Sequence, residues 1–312
     1  MSLPAIDILL NATAGAGASL LDPPSRIAVF GGCLSSPAEV DAGNTPKSQR
    51  DAFVRWLRRN RTDLSKRLLL PENYDDWNDF NTYSDLLRFE EDLGYVTSVV
   101  VIFLEASGSI AELGAFSQIN TLNQQLVVVV ADVHHPKKSF ISLGPLRQLD
   151  HPERASVCVI PQRPITEFEE DIDVILKYVE DKIGAVPTRR ALQASDPKHQ
   201  IILALDVVTL LEVATFGEVK AALMHFGVAI QDSRIRQVLF TLAKADFISS
   251  RRYGGLDYYF PIERGRTWVD HAGPDSSKQF NRLRIAAKIA TTRVGTLPAA
   301  KAHGVIFRAS KS

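Results

Sequence analysis

The sequence predicts an α/β fold: a parallel sheet flanked by helices, followed by a smaller domain of three helices and a β-hairpin. Three observations carry this reading. Short, continuously apolar runs such as 99–103 and 126–131 alternate with helix-length segments up to about residue 186. Strands that lack polar alternation are those covered on both faces of a parallel sheet. The chain is then punctuated by Gly184, Pro187, Ser195, Asp196 and Pro197, a composition suited to a boundary between domains. Charge divides near the same place. Residues 190–312 carry 18 Lys/Arg against 10 Asp/Glu, a balance of +8, and residues 1–189 carry 18 against 26, a balance of −8.

The elements follow in order. Residues 1–25 read as a short amphipathic helix with a loose tail. They have no basic n-region and no long apolar core, so they do not resemble a signal peptide. The α/β domain spans 26–186. Arg26 to Phe30 gives a first strand, and Gly31-Gly32 gives a turn through which backbone can approach a ligand. A helix over 47–59 leads to a second strand at 67–70, ending at Pro71-Glu72. A loop with Tyr74, Trp77, Phe80 and Tyr83 follows, and a helix over 84–95 has Leu86, Leu87, Glu90 and Leu93 at helical spacing. The third strand is 98–104. After it, Ser107-Gly108-Ser109 reads as a loop and Ala111 to Phe116 as the opening of a helix that runs to about 122. Strands at 126–131 and 157–160 and a helix over 166–182 complete this domain. Alternation of this kind is Rossmann-like.

The second domain spans 198–312. A first helix covers 198–213 and is broken at Thr215-Phe216-Gly217. A second covers 218–226 and stops at Gly227. A third covers 233–245, with Asp232 as its N-cap. Strands at 247–252 and 256–261 flank the turn Tyr253-Gly254-Gly255. Three helices and a hairpin form a winged helix-turn-helix pattern. Arg234 and Arg236 on the third helix, and Arg251 and Arg252 on the hairpin, are candidate nucleic-acid contacts. Arg282, Arg284 and Lys288 suit phosphate contact further on. A winged helix also serves protein docking, and a basic balance also arises on solvated faces, so both readings stand at this point.

Composition excludes several classes. Charged residues make up 23% and hydrophobic ones 45%, ordinary for a globular protein. Cys33 and Cys158 match no zinc spacing and give no disulfide framework, which points to a reducing cytosol. No stretch reaches the roughly 20 apolar residues of a membrane span. The histidines are dispersed, and His134-His135 precede Pro136 as in a turn; neither a metal nor a cofactor is expected.

Chemistry concentrates in 97–118, TSVVVIFLEASGSIAELGAFSQ. A strand, a small-residue loop and a helix put Glu112 at the carboxyl edge of a parallel sheet, where such sheets bind ligands. An ionised carboxylate beside a sugar can attack the anomeric carbon or stabilise an oxocarbenium ion. Exposed helix N-terminal N–H groups and the macrodipole stabilise an ionised carboxylate at such a place; the alternative is that Glu112 is only a helix-start residue.

The stretch Phe103 to Ser117, together with Gly31-Gly32, Leu70-Pro71-Glu72, Leu87-Arg88-Phe89-Glu90, Lys138-Ser139-Phe140-Ile141 and Gly144-Pro145, resembles the nucleoside 2-deoxyribosyltransferase-like superfamily. More closely, it resembles the effector subunit of bacterial retron antiphage systems. The resemblance covers about 27–180 in detail and the rest by architecture alone. It implies a toxic N-glycosidase that cleaves the base–ribose bond of a nucleotide, with the nicotinamide bond of NAD as one such substrate. It also implies Glu112 as nucleophile, Glu90 as a second catalytic carboxylate, and Gly31, Gly32, Glu72, Ser107, Gly108 and Ser109 as substrate contacts. Glu105 either lines the pocket or bonds the loop. Partners implied are the retron reverse transcriptase, its branched RNA–DNA product, and neighbouring copies in a homo-oligomer or higher assembly. Two other readings remain: a salvage deoxyribosyltransferase and a nucleotide-sensing DNA-binding regulator.

Overall fold

The computed structural model describes residues 4–21, 25–71, 74, 82–135, 138–150, 156–275 and 277–294. The chain forms two compact units, one of Pro24–Asn78 with Asp85–Val186, the other of Met1–Pro23, Asp79–Ser84 and Pro187–Ser312.

The first unit is built on a five-stranded parallel sheet. Its spatial order is Leu68–Leu69, Ile27–Phe30, Val99–Phe103, Leu126–Ala131 and Val157–Ile160. The strands at 99–103 and 126–130 are buried throughout, as their unbroken β-branched sequences require. Alternate residues Ile27, Val29, Val99, Val101, Phe103, Val127 and Val129 face one side. There they form a core with Phe53 and Leu57 of the helix Gln49–Asn60 and with Ile172, Ile175 and Val179 of the helix Ile172–Gly184. The intervening residues face the other side, where the Phe30 ring meets Phe116 of the helix Ser107–Phe116 edge-on, with centroids 5.4 Å apart. The chain goes from the first strand outward to an edge strand and returns on the first strand's other flank. The order therefore reverses between Ile27–Phe30 and Val99–Phe103. In open α/β sheets the ligand crevice lies outside the carboxyl ends of the strands at such a switch point.

The second unit differs most from expectation at its start. The helix Ala5–Ala12 forms and packs on the helix Arg282–Val294. The residues after it are not a loose tail. The Ala14 N–H donates to Ala272 O, and Ser19–Leu21 is the middle strand of an antiparallel sheet between Arg189–Ala191 and Val269–Asp270. Tyr83, from the aromatic-bearing loop, is buried here, with its hydroxyl against Gln237 O and Thr241 Oγ1.

Three helices follow the boundary: Pro197–Leu211, Phe216–His225 and Asp232–Lys244. Two of their starts are shifted from the sequence reading. Thr215 is the N-cap of the second helix, in a capping box with Glu218, so Phe216 and Gly217 are helical. Gln231, not Asp232, is the N-cap of the third helix. Gly227 ends the second helix at φ +77°. The hairpin Ile248–Tyr253/Leu256–Pro261 pairs through Tyr258 and Tyr259 with the short strand Ala214–Thr215.

A buried carboxylate ties this unit together. Asp206 Oδ1 accepts from the Trp268 and Val269 N–H groups at 2.8 and 3.0 Å. Oδ2 lies 2.8 Å from His271 Nε2 and 3.1 Å from Arg282 Nη1. Burial pushes the Asp206 carboxyl up, but the His271 hydrogen bond and the Arg282 charge overcome it and hold the carboxyl below its ordinary value.

Candidate active site

The switch point is closed by Glu105. This carboxylate follows the strand Val99–Phe103 and accepts three backbone hydrogen bonds: from Gly32 N–H at 3.0 Å, Gln49 N–H at 2.6 Å and Arg50 N–H at 3.0 Å. Gln49 and Arg50 open the helix Gln49–Asn60, whose N-cap Ser48 accepts from the Asp51 N–H and donates to Cys33 O. An anion at a helix N-terminus satisfies donors that the helix cannot. Glu105 thus bonds neither Ser107, Gly108 nor Ser109 among the hydrogen bonds of the described residues, and instead joins the Gly31-Gly32 turn to the helix start. The Ser48-x-x-Asp51 spacing was a legible capping signal; the partner carboxylate 55 residues on was not.

The Gly31-Gly32 turn demands glycine because of the protein's own chain. Gly31 has φ +151°, and a Cβ there would sit 2.9 Å from Phe103 Cβ. A Cβ on Gly32 would sit 2.7 Å from Ser48 Cβ and 3.1 Å from Glu105 Oε1.

The small-residue stretch is not a loop. The helix begins at Ser107, so Ser107-Gly108-Ser109 is its first turn, with Ala106 as N-cap. Ser109 is buried, and its hydroxyl donates to Ala106 O at 2.8 Å and accepts from Ala106 N–H at 3.3 Å. Its side chain caps its own helix. Ser107 and Gly108 are exposed, and their N–H groups belong to the turn that lacks intrahelical acceptors.

Glu112 is the sixth residue of this helix, beyond the first turn over which the macrodipole acts. The macrodipole account of its charge therefore does not hold. It stands one turn above Gly108 on the same helix face. Open space surrounds the position of a Gly108 Cβ, with Glu112 Oε1, 3.9 Å away, its nearest neighbour. The half-buried Glu112 carboxylate therefore faces the exposed, side-chain-free surface of Gly108. Glu90, on the helix Leu86–Tyr95, is buried at 7% exposure. Glu72 and Trp77 lie outside the described residues.

In the other unit the predicted basic residues separate. Arg251 and Arg252 are both exposed on the hairpin, but adjacent strand residues point to opposite faces. Arg252 pairs across the ribbon with Asp257, Arg251 with Tyr258. Arg236 lies over the Phe216 ring, 4.6 Å from its centroid, and Arg234 Nη1 donates to Gln237 Oε1 at 3.4 Å. Arg282 is not a free phosphate contact; it is bound to Asp206. Arg284 and Lys288 line a surface groove with Ile8 and Thr291.

Residues 46–250 match the family model described as STM3845 retron effector protein. The chain belongs to this family. It is also similar to two Escherichia coli proteins. The first, "Retron Ec86 putative ribosyltransferase/DNA-binding protein", is 32% identical over 112 residues, 35% of this chain and 36% of the relative. The second, "Retron Ec73 putative ribosyltransferase/DNA-binding protein", is 34% identical over 72 residues, 23% of each chain. The chain thus spans about a third or less of the length of these relatives. No helix among the described residues is long and apolar enough to cross a membrane.

Proposed function

We propose that this retron effector is an N-glycosidase that cleaves the base–ribose bond of a nucleotide, with the nicotinamide bond of NAD as one substrate that fits. The observation that carries the reading is the half-buried Glu112 carboxylate over the exposed, side-chain-free surface of Gly108, beside the switch point of the parallel sheet. The names of the two relatives, ribosyltransferase in both cases, support it.

The first-turn N–H groups at 107–109 suit a phosphate, and the open surface at Gly108 leaves room for a sugar. As the C1′–N bond breaks, its electron pair leaves with the base and positive charge develops at C1′. Glu112 answers that charge, either by bonding to C1′ or by pairing with the oxocarbenium ion. Water then supplies the oxygen at C1′ and releases a proton. Nicotinamide carries its positive charge on the ring nitrogen and departs neutral, so that bond needs no general acid. Glu90 serves as the second carboxylate, orienting base or sugar.

Such an activity depletes nucleotides and calls for restraint. The retron reverse transcriptase and its branched RNA–DNA product are the partners we assign, within a homo-oligomer or higher assembly. The second unit, read as a winged helix, offers its basic hairpin to that nucleic acid. Its pairing of Ala214–Thr215 with the hairpin supports this reading, as does the DNA-binding label of both relatives.

Glu112→Gln and Glu112→Ala test the chemistry. Chromatography of free base should show release reduced at least 100-fold, with the melting temperature unchanged. Undiminished release from Glu112→Ala refutes the nucleophile.

A further inference from the structure

The hairpin carries more than charge. From Ser249 to Asp257 every residue is exposed, so the ribbon projects beyond the helices that bury Ile248 and Tyr258. Gly254 and Gly255 turn it at φ +58° and +83°, with nothing within 4 Å of either Cβ position. A turn with two positive φ values holds a two-stranded ribbon in its natural twist. The tip is therefore both open and stiff.

Strand alternation sorts its side chains. Ser249, Arg251 and Tyr253 share one face, and their cross-strand partners are Phe260, Tyr258 and Leu256. Near the body this face carries the buried Tyr258 and Phe260 that pack on Val213. Further out the same face carries Arg251, then Tyr253 at 36% and Leu256 at 56% exposure. Tyr253 is the one exposed aromatic in this unit among the described residues. Arg251 has no ion-pair partner among them, whereas Arg252 on the opposite face stands across from Asp257. One face thus aligns a cation, an aromatic ring and an apolar side chain over three successive ladder positions.

We infer that this outer face binds an unpaired or terminal base of a nucleic acid. Tyr253 stacks on the base, Leu256 backs the ring, and Arg251 holds the flanking phosphate. The inference rests on the nucleic-acid reading of the second unit and names the feature recognised: an unstacked base, not uniform duplex. Charge favours this partner, since residues 190–312 carry a balance of +8. The chemistry fits as well, because an aromatic ring beside an arginine is how single strands are held without base-specific hydrogen bonds.

The full chain should be titrated by fluorescence anisotropy with three probes: a 20-nucleotide oligo-dT, a blunt 20-base-pair duplex, and that duplex with a five-nucleotide overhang. Each titration is run at several salt concentrations. Tyr253→Ala should weaken the oligo-dT and overhang complexes by roughly 5- to 150-fold, the loss expected for one stacked base, with no change of salt slope. Tyr253→Trp should restore binding. Arg251→Glu should instead flatten the slope by about 1. Equal weakening of all three probes by Tyr253→Ala, or no weakening of any, overturns the inference while salt-dependent binding keeps the parent reading. If the unsubstituted chain shows no salt-dependent affinity for any probe, the nucleic-acid reading falls and the ribbon is a protein-docking surface.

Discussion

Two glycines that look alike in the sequence should behave oppositely when substituted. Gly108 lies in the first turn of a helix with open space before it, whereas Gly32 is hemmed in by Ser48 and Glu105. Adding a Cβ to a helical glycine stabilises by up to about 0.5–1 kcal/mol, because the unfolded chain loses freedom. Adding one at 2.7 Å from Ser48 Cβ forces the turn or the helix to move, at about 1–3 kcal/mol. At roughly 2–4 °C per kcal/mol for a unit of this size, Gly108→Ala should hold or raise the melting temperature by up to about 4 °C. Gly32→Ala should lower it by about 2–12 °C. The functional order is the reverse. A methyl group at Gly108 stands beside Glu112 where a sugar would lie, and displacement of a reactant by about 1 Å can cost about 100-fold. Base release should fall about 10-fold for Gly108→Ala and about 100-fold for Gly108→Val, whose larger side chain takes up more of that space. Differential scanning fluorimetry and chromatographic assay of free base, run on the same preparations, check both halves. A Gly108→Val protein that melts as low as Gly32→Ala, with activity falling in step, refutes the reasoning, because that glycine would then be structural.

Glu105→Ala removes the acceptor of three N–H groups, and the carboxylate's exposure limits the loss to about 1–3 kcal/mol; the melting temperature should drop accordingly. Glu105→Gln, which keeps one oxygen acceptor, should lie between the parent and the alanine variant. Asp206→Asn leaves Arg282 and His271 without their buried counter-charge and should cost about 3–5 kcal/mol, read as early unfolding of the second unit by limited proteolysis. The folded Asp206 carboxyl titrates below its unfolded value. Its contribution is therefore complete above about pH 4 and is lost as pH falls through the folded pKa. Acid titration monitored by circular dichroism should show that loss in the parent and not in Asp206→Asn.

The strands of the parallel sheet were legible because a strand buried on both faces must be apolar throughout. The runs at 99–103 and 126–130 allow little else, whereas 157–160 forms the edge strand and leaves Val159 exposed. The hairpin was legible because Gly254-Gly255 is local turn chemistry. Helix starts were read less well. Small residues such as Ser107-Gly108-Ser109 suit a loop and a first helical turn alike, and the Ser109–Ala106 box, built from one serine, decided between them.

What the sequence determined by itself was the alternation of strands and helices in the first unit and the turn of the hairpin, both properties of near neighbours in the chain. Tertiary structure alone decided the matters that depend on distant partners. Ser19–Leu21 is too short to signal a strand, and becomes one because Arg189–Ala191 and Val269–Asp270 satisfy its backbone on both sides. Arg282 has the composition of a phosphate contact, yet Asp206, 76 residues away, holds it inside. Glu105 and Gln49 meet only because parallel strands bring their carboxyl ends together. An unpaired charge or backbone N–H is costly away from water, and which distant group relieves that cost is fixed by the packing of the whole unit.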